Sequence, residues 1–501
     1  MSKNALTSFP RSNMSNPVVE RCQLAPDLSI SRILTGLWQI ADMERDGTEI
    51  NPDAAAEFMT PYVQAGLTTF DMADHYGSAE VITGRYQKKY GVDAVQLFTK
   101  WVPKPGRTTK AEVREAIQLS LDRMQAERLE LLQFHAWNYA DPNWLDCLFW
   151  LQELKDEGLI GHLGLTNFDT AHLRIVLTSG IDVVSNQVCF SLIDQRPARA
   201  MTTLCEEFGI KLLCYGTVAG GFLSEKWLDK PEPDWDNLDT WSQMKYGRFI
   251  KAAGGWQPLQ AVLSACDRIA RKHDVSLSNV ACRYILDQPG VGGVIIGARL
   301  GISERIADNL KLFAFQMDNE DRSLLNKALS EFQIIPGDSG DEYRKPPFLT
   351  ASGDLSHHLE QIPPPYDTIE RGGREYVFSG TTWEDIAGFC RAVKTGDRIS
   401  VSGTTATHGH RAIGGADIAA QTHFIIDKIE GALQSFGSKL EDVVRTRIFV
   451  RNINEWEAAA RAHGERFAHI QPANTLVEAK LVGEEYLVEI EAEAITAGSR
   501  Q

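Results

Sequence analysis

Thr68-Thr69-Phe70-Asp71-Met72-Ala73-Asp74-His75-Tyr76-Gly77 decides the fold: an apolar, β-branched run stops at an acid, and a tyrosine follows five residues later. The run predicts a strand ending at Asp71, with Tyr76 and Gly77 where the chain turns into a helix over Ala79 to Tyr90. Taken alone, Asp71 reads as a helix cap and Tyr76 as a core residue. Further strands change that balance. β-branched runs recur at Arg32 to Leu37, Gln96 to Lys100, Leu129 to His135, Ile160 to Thr166, Val183 to Phe190, Lys211 to Tyr215 and Gly293 to Ile296, making eight with Leu67 to Asp71. Amphipathic stretches separate them, such as Lys110 to Met124, where Val113, Ile117, Leu121 and Met124 share one face. Alternation of this kind predicts an α/β fold of the (β/α)8 barrel type. No G-x-G-x-x-G follows any of these strands, which speaks against a doubly wound dinucleotide-binding sheet.

In such a barrel, chemistry collects at the C-terminal ends of the strands. Asp71, Lys100 and His135 each end a predicted strand and Tyr76 lies just past one, so four polar groups converge on one mouth. A tyrosine with its ordinary pKa of about 10 transfers protons poorly at neutral pH. A nearby lysine cation lowers that pKa, and an aspartate keeps the lysine charged and aimed.

The chain has 501 residues, more than one core usually supports, so two domains are expected. Beyond Phe332, Pro336, Pro346-Pro347 and Pro363-Pro364-Pro365 interleave with Gly337, Gly340 and Gly353. They predict a linker over residues 336–370, between a barrel at 21–335 and a second unit at 371–497. In that unit strands are expected at Phe378-Ser379, Arg398 to Gly403, Val443 to Val450, Asn474 to Leu481 and Tyr486 to Ala494, with helices over Ala416 to Phe436 and Ile453 to Phe467. This is a smaller α+β domain. Residues 1–20 are polar and read as a disordered tail.

A formal net charge of -16 argues against a nucleic-acid or anionic-membrane surface. No apolar stretch approaches the roughly 18 residues of a membrane span. The eight cysteines are scattered, with no C-x-x-C pair and no metal-ligand spacing, so no metal is expected and a cytoplasmic location is.

Phe70 to Gly77, Phe98-Thr99-Lys100 and Leu131-Leu132-Gln133-Phe134-His135 resemble the motifs of the aldo-keto reductase family over the first two thirds of the chain. The resemblance implies that Tyr76 is the general acid, Lys100 and Asp71 its tuning pair, and His135 the orienter of a substrate carbonyl. It extends to a nicotinamide site. Thr166, Asn167 and Gln187 would hold the carboxamide, Tyr215-Gly216 would carry the aromatic that stacks on the ring, and Gly297, Arg299, Arg305, Asp308 and Asn309 would form the adenosine end. Two arginines suit a ribose phosphate, which makes NADPH the expected cofactor. Trp227, Trp235, Trp241 and Trp256 either wall a substrate pocket or pack their loop against the barrel.

The second unit is similar to the RidA family, also called YjgF or L-PSP endoribonuclease, in Val401-Ser402-Gly403, Leu440 to Val444, Pro472 to Thr475 and Val488 to Glu491. That resemblance implies imine hydrolysis in clefts of a homotrimer, with Ser402, Gly403, Asn474 and Glu489 at the ligand site. Asn474 stands where the family has an arginine, and Phe389 where it has a tyrosine. A neutral amide forfeits about 1.5 to 3 kcal/mol of charge-assisted pairing with a carboxylate. Together these readings predict an NADPH-dependent reductase of an aldehyde or ketone, fused to a domain for oligomerisation or imine handling. Two alternatives are an imine reductase and a cofactor-sensing scaffold with little turnover.

Overall fold

The computed structural model describes residues 17–45, 47–350 and 363–496. Most of the expected tail and the middle of the expected linker lie outside these residues. Two short antiparallel strands, β1 (Arg21–Ala25) and β2 (Leu28–Ser31), precede the barrel. Eight parallel strands then close on themselves: β3 (Ile33–Gly36), β4 (Thr69–Asp71), β5 (Gln96–Trp101), β6 (Leu129–Phe134), β7 (Ile160–Thr166), β8 (Val183–Cys189), β9 (Lys211–Tyr215) and β10 (Val291–Gly297). β10 pairs with β3 to complete the ring. Each expected strand is present. The β1–β2 hairpin was not foreseen; Leu24, Leu28 and Ile30 pack it against the barrel residues Leu34, Phe98, Leu131 and Leu213.

The helices form where the apolar spacing places them. The helix Lys110–Met124 buries Val113, Ile117, Leu121 and Met124, and a reciprocal Thr109–Glu112 capping box satisfies its first turn. Gly84, on the helix Ala79–Tyr90, lies so close to the Met124 backbone that a Cβ would collide with it. That contact brings consecutive outer helices together.

The second domain is a seven-stranded sheet in the order β11 (Thr368–Arg371), β12 (Arg374–Val377), β13 (Ala392–Thr395), β14 (Arg398–Thr405), β19 (Val488–Ile495), β17 (Val443–Val450) and β18 (Ala473–Glu478). A small hairpin, β15 (Thr407–His408) with β16 (Arg411–Ala412), stands apart from it. The expected strand at Phe378-Ser379 is absent, because β12 ends at Val377 and the chain turns onto Glu384, which accepts from the backbone of Ser379 and Gly380. The first strand of the sheet, β11, begins at Thr368, inside the end of the expected linker.

The helix Ile418–Ser435 is buried nearly all round. It lies between its own sheet and the barrel helix Thr170–Thr178, and its Phe424, Ile425 and Ile429 join one continuous apolar cluster with Leu173 and Val176. A Cβ on Gly431 would collide with the Ala140 carbonyl. The domains are also joined by Arg174–Asp417 (2.6 Å), His408–Asp146 (2.7 Å) and Asn138–Gln434 (3.0 Å).

Candidate active site

Beyond β4 the chain is stapled to β5: Met72 N donates to Phe98 O (2.8 Å) and Asp74 N to Lys100 O (2.9 Å). This fixes the loop carrying Tyr76. Gly77 has φ +56°, and a Cβ there would strike the Glu44 carboxylate, which accepts from Ser78 N at 3.0 Å.

Lys100 Nζ donates to both Asp71 oxygens (2.9 and 2.7 Å) and to Met72 O (2.7 Å), with both side chains at most 5% exposed. Asp71 Oδ1 also accepts from Gln133 (3.1 Å) and Gln187 (2.7 Å). Burial pulls the Lys100 ammonium below its ordinary range, and Asp71 opposes that pull. The Lys100 nitrogen stands 5.1 Å from the Tyr76 ring centre, and Trp38 (5.0 Å) and His75 (4.9 Å) meet that ring edge-on.

His135 is buried, with Nδ1 3.4 Å from Thr166 O. Burial first, then the Arg344 charge, hold it neutral, well below the imidazole range. Because a carbonyl oxygen only accepts, Nδ1 carries the proton and Nε2 keeps its lone pair. His135 Nε2 and Gln39 Oε1 are buried without a hydrogen-bond partner among the described residues, and both side chains line one cavity of about 190 Å³. Asp71, Tyr76, Lys100, Thr166, Asn167, Gln187, Tyr215, Gly216 and Gly297 line it too. At its edge Gly36 pairs with Gly297, where a Cβ would strike Gln39, and Gly216 has φ +75°. Two orphaned polar atoms, an aromatic wall and a glycine-lined edge fit a bound nicotinamide nucleotide.

Asn167 has φ +60°; its backbone N donates to Gln187 O (2.8 Å) and its side-chain oxygen accepts from the Tyr215 hydroxyl (2.7 Å). Gln187 turns its amide nitrogen inward to Asp71 and Gln133. The adenosine end is less assembled. Arg299, Arg305, Asp308 and Asn309 lie outside the cavity lining, both arginines are exposed, and Arg305 precedes the short helix Ile306–Leu310. Asp308 is taken by Ser276 (3.0 Å) and Asn279.

The tryptophans divide between the two readings. Trp227, Trp235 and Trp256 pack on one another and Phe222, whereas Trp241 lines the cavity. Sequence reasoning missed Gln39, Trp137, Lys245 and Tyr246, which also line it. It also missed Tyr343, because the expected linker is not a bare spacer. A short helix, Asp341–Arg344, buries Glu342 and Tyr343 in the barrel mouth. The Tyr343 hydroxyl accepts from Lys245 Nζ (2.7 Å), and its ring lies 5.6 Å from that of His135. Glu342 accepts from Arg196 (2.8 Å), and Arg344 donates to Ala136 O and Asn167 O.

In the second domain Glu489 lies against Gly403, where a Cβ would collide with its carboxylate, and Ser402 Oγ donates to Cys390 O (2.8 Å). Burial raises the Glu489 pKa, partly offset by the charge of Arg391. Arg391 is itself buried and donates to Gly403 O (2.9 Å). Asn474 does not join them. It sits three strands from β14, about 14 Å away at ordinary strand spacing, and donates to Thr446 Oγ1 (2.9 Å). Arg447 of β17 is engaged with Glu491 (3.0 Å), and Arg451, just past the end of that strand, with Tyr486 O (2.7 Å).

Residues 32–330 match the model of the aldo/keto reductase family, and residues 381–496 that of endoribonuclease L-PSP. The chain is 25% identical to the chloroplastic pyridoxal reductase of Arabidopsis thaliana, over 62% of this chain and 86% of that one. It is 23% identical to the NADH-specific methylglyoxal reductase of Escherichia coli, over 60% and 95%. Among solved structures, a glycerol dehydrogenase of Gluconobacter oxydans superposes with a TM-score of 0.51 at 21% identity, covering 65% of this chain and 98% of that one. No described helix is long and apolar enough to cross a membrane. The chain belongs to the aldo/keto reductase family and carries a RidA-like domain behind its barrel.

Proposed function

We propose that the protein reduces an aldehyde or ketone with NADPH, Tyr76 delivering the proton. The observation that carries this reading is the buried Lys100–Asp71 pair beside the Tyr76 ring at the cavity floor. When bound, the nicotinamide supplies the hydride. Asp71 keeps Lys100 charged in a site that would otherwise neutralise it, and Lys100 favours the phenolate left once Tyr76 has given its proton to the carbonyl oxygen. Thr166 and Asn167, which line the cavity, would take the carboxamide, and Tyr215 the ring face. NADPH is preferred to NADH because Arg299 and Arg305 follow the Gly297 end of the cavity, free of carboxylate hydrogen bonds among those described.

His135 takes a role fixed by its tautomer. Its Nε2 accepts, so the group it orients is a hydroxyl: that of the product alcohol, or one adjacent to the carbonyl. Hydroxycarbonyls are therefore expected to outpace their deoxy analogues by about fivefold in kcat/KM, the worth of roughly one hydrogen bond.

The eight free cysteines fit a reducing compartment, and we place the protein in the cytoplasm. The domain boundaries follow the same reading, with the RidA-like unit beginning near residue 371. We propose a homotrimer through that unit, supported by the place of Asn474 on β18, two strands from the β19 strand of Glu489, which calls for a neighbouring copy to complete a cleft.

The test is NADPH oxidation against aromatic, aliphatic and hydroxylated carbonyls, comparing the intact protein with Tyr76→Phe. Turnover falling by at least about 100-fold while NADPH binding persists supports the reading. Undiminished turnover in the variant sinks it.

A further inference from the structure

His172 lies where the two domains meet and is 3% exposed. Its Nδ1 is 2.6 Å from Asp169 Oδ1 and its Nε2 is 2.9 Å from Asp427 Oδ2. Asp169 caps the barrel helix Thr170–Thr178, whereas Asp427 belongs to the second domain's central helix. Two ionised carboxylates only accept, so hydrogen bonds at both ring nitrogens require the imidazolium. Asp427 also takes Arg466 (2.6 Å), which reaches Glu430 (2.7 Å). From the connector, Lys345 and Asp338 bring opposite charges near Asp169, and Asp338 accepts from Thr170 N.

The network continues into the barrel mouth. The His172 ring stacks on Tyr139 with centres 3.4 Å apart and planes 8° from parallel, and the Arg344 guanidinium lies 4.3 Å from the centre of the Tyr139 ring. Arg344 donates to Ala136 O (2.9 Å) and Asn167 O (2.8 Å), one residue past His135 and one past Thr166. Asp169 itself lies two residues beyond Asn167. One chain of contacts therefore runs from the second domain to the loops holding His135 and the carboxamide site.

We propose that the second domain is a positioning module for the reductase site, with Asp427 acting through His172, Tyr139 and Arg344 to hold the loops that carry His135 and Asn167. This rests on the reductase reading above. It gives the fused domain a role that needs no ligand of its own.

The two carboxylates raise the His172 pKa against the opposing effect of burial. For a group whose folded pKa is raised, the cation's contribution is complete below the unfolded value and is lost as pH rises through the folded one. Asp427→Asn removes one of the two charges. The alkaline fall in kcat should then arrive about one pH unit earlier, and kcat at neutral pH should drop about tenfold.

The experiment compares full-length wild type, Asp427→Asn, His172→Gln and His408→Ala in pH profiles of NADPH turnover on the best carbonyl. His408→Ala cuts a separate interdomain pair, so it should lower the melting temperature without moving the profile. His172→Gln has no charge to titrate, keeps a hydrogen bond to Asp169, and covers the case in which Asp427→Asn fails to fold. It should lose the His172-dependent limb. Identical profiles for wild type and both network variants overturn the proposal, as does a shift of equal size in His408→Ala. If wild type reduces no carbonyl, the reductase reading fails separately. NADPH affinity then decides: a deficit in Asp427→Asn that grows with pH upholds positioning, and equal affinities overturn it.

Discussion

The barrel mouth and the candidate cleft of the second domain treat a buried charge in opposite ways. In the barrel, Lys100 and Asp71 are matched, and Gln133 and Gln187 satisfy the remaining acceptor capacity. In the second domain the buried Arg391 beside Glu489 donates to the Ser402 and Gly403 carbonyls instead, and Asn474 bonds to Thr446 on another strand. A site that keeps an expensive ion pair out of water is built around that pair. One that turns its buried cation to backbone carbonyls leaves its carboxylate to be set by burial and by a charge at a distance.

Breaking the barrel side gives the largest expected effect. Lys100→Met should lower turnover about 100- to 10,000-fold and cost about 3 to 5 kcal/mol, because Asp71 is left charged and buried. Adding Asp71→Asn should restore much of the stability and none of the turnover, as read by urea unfolding beside the NADPH assay. A single variant as stable as wild type would mean that the pair is not the buried ion pair its geometry describes.

Sharpening the other side is smaller. Asn474→Arg should strengthen binding of a carboxylate-bearing imine analogue by about 10- to 100-fold, measured by calorimetry. No gain would show that the cleft has changed by more than one residue. The smallest effect concerns a partly buried carboxylate on β6. Glu130 accepts from Leu97 N (3.0 Å), and burial raises its pKa to about 7. In the folded protein it holds its proton longer than in the unfolded chain, so stability declines as pH rises from about 4.5 to 7. Glu130→Gln should therefore stabilise by roughly 2 kcal/mol above about pH 8 and by almost nothing below about pH 4, in thermal melts.

The barrel was legible because its eight strands are short β-branched runs separated by one-faced helices, and because Asp71, Lys100 and His135 stand within one residue of their strands' ends. Gln39 was illegible: its only signal is an orphaned oxygen in a folded cavity. Tyr343 was hidden by the proline and glycine around it, which mark a break in regular structure without saying what the break docks against. The β11–β12 hairpin did leave a sign, the Gly372-Gly373 turn between two short runs, both glycines having positive φ. Asp427 and His172 lie 255 residues apart, and local pattern holds nothing that joins them.

The short helix Asp341–Arg344 limits how the gene can be rearranged. Family matching ends the barrel at residue 330, yet Glu342, Tyr343 and Arg344 lie in its mouth. A chimera joined at 330 to another carboxy-terminal partner would inherit a catalytic rim with its far wall missing. A junction after residue 350 would carry the wall along, so the workable unit of exchange is longer than the unit of homology.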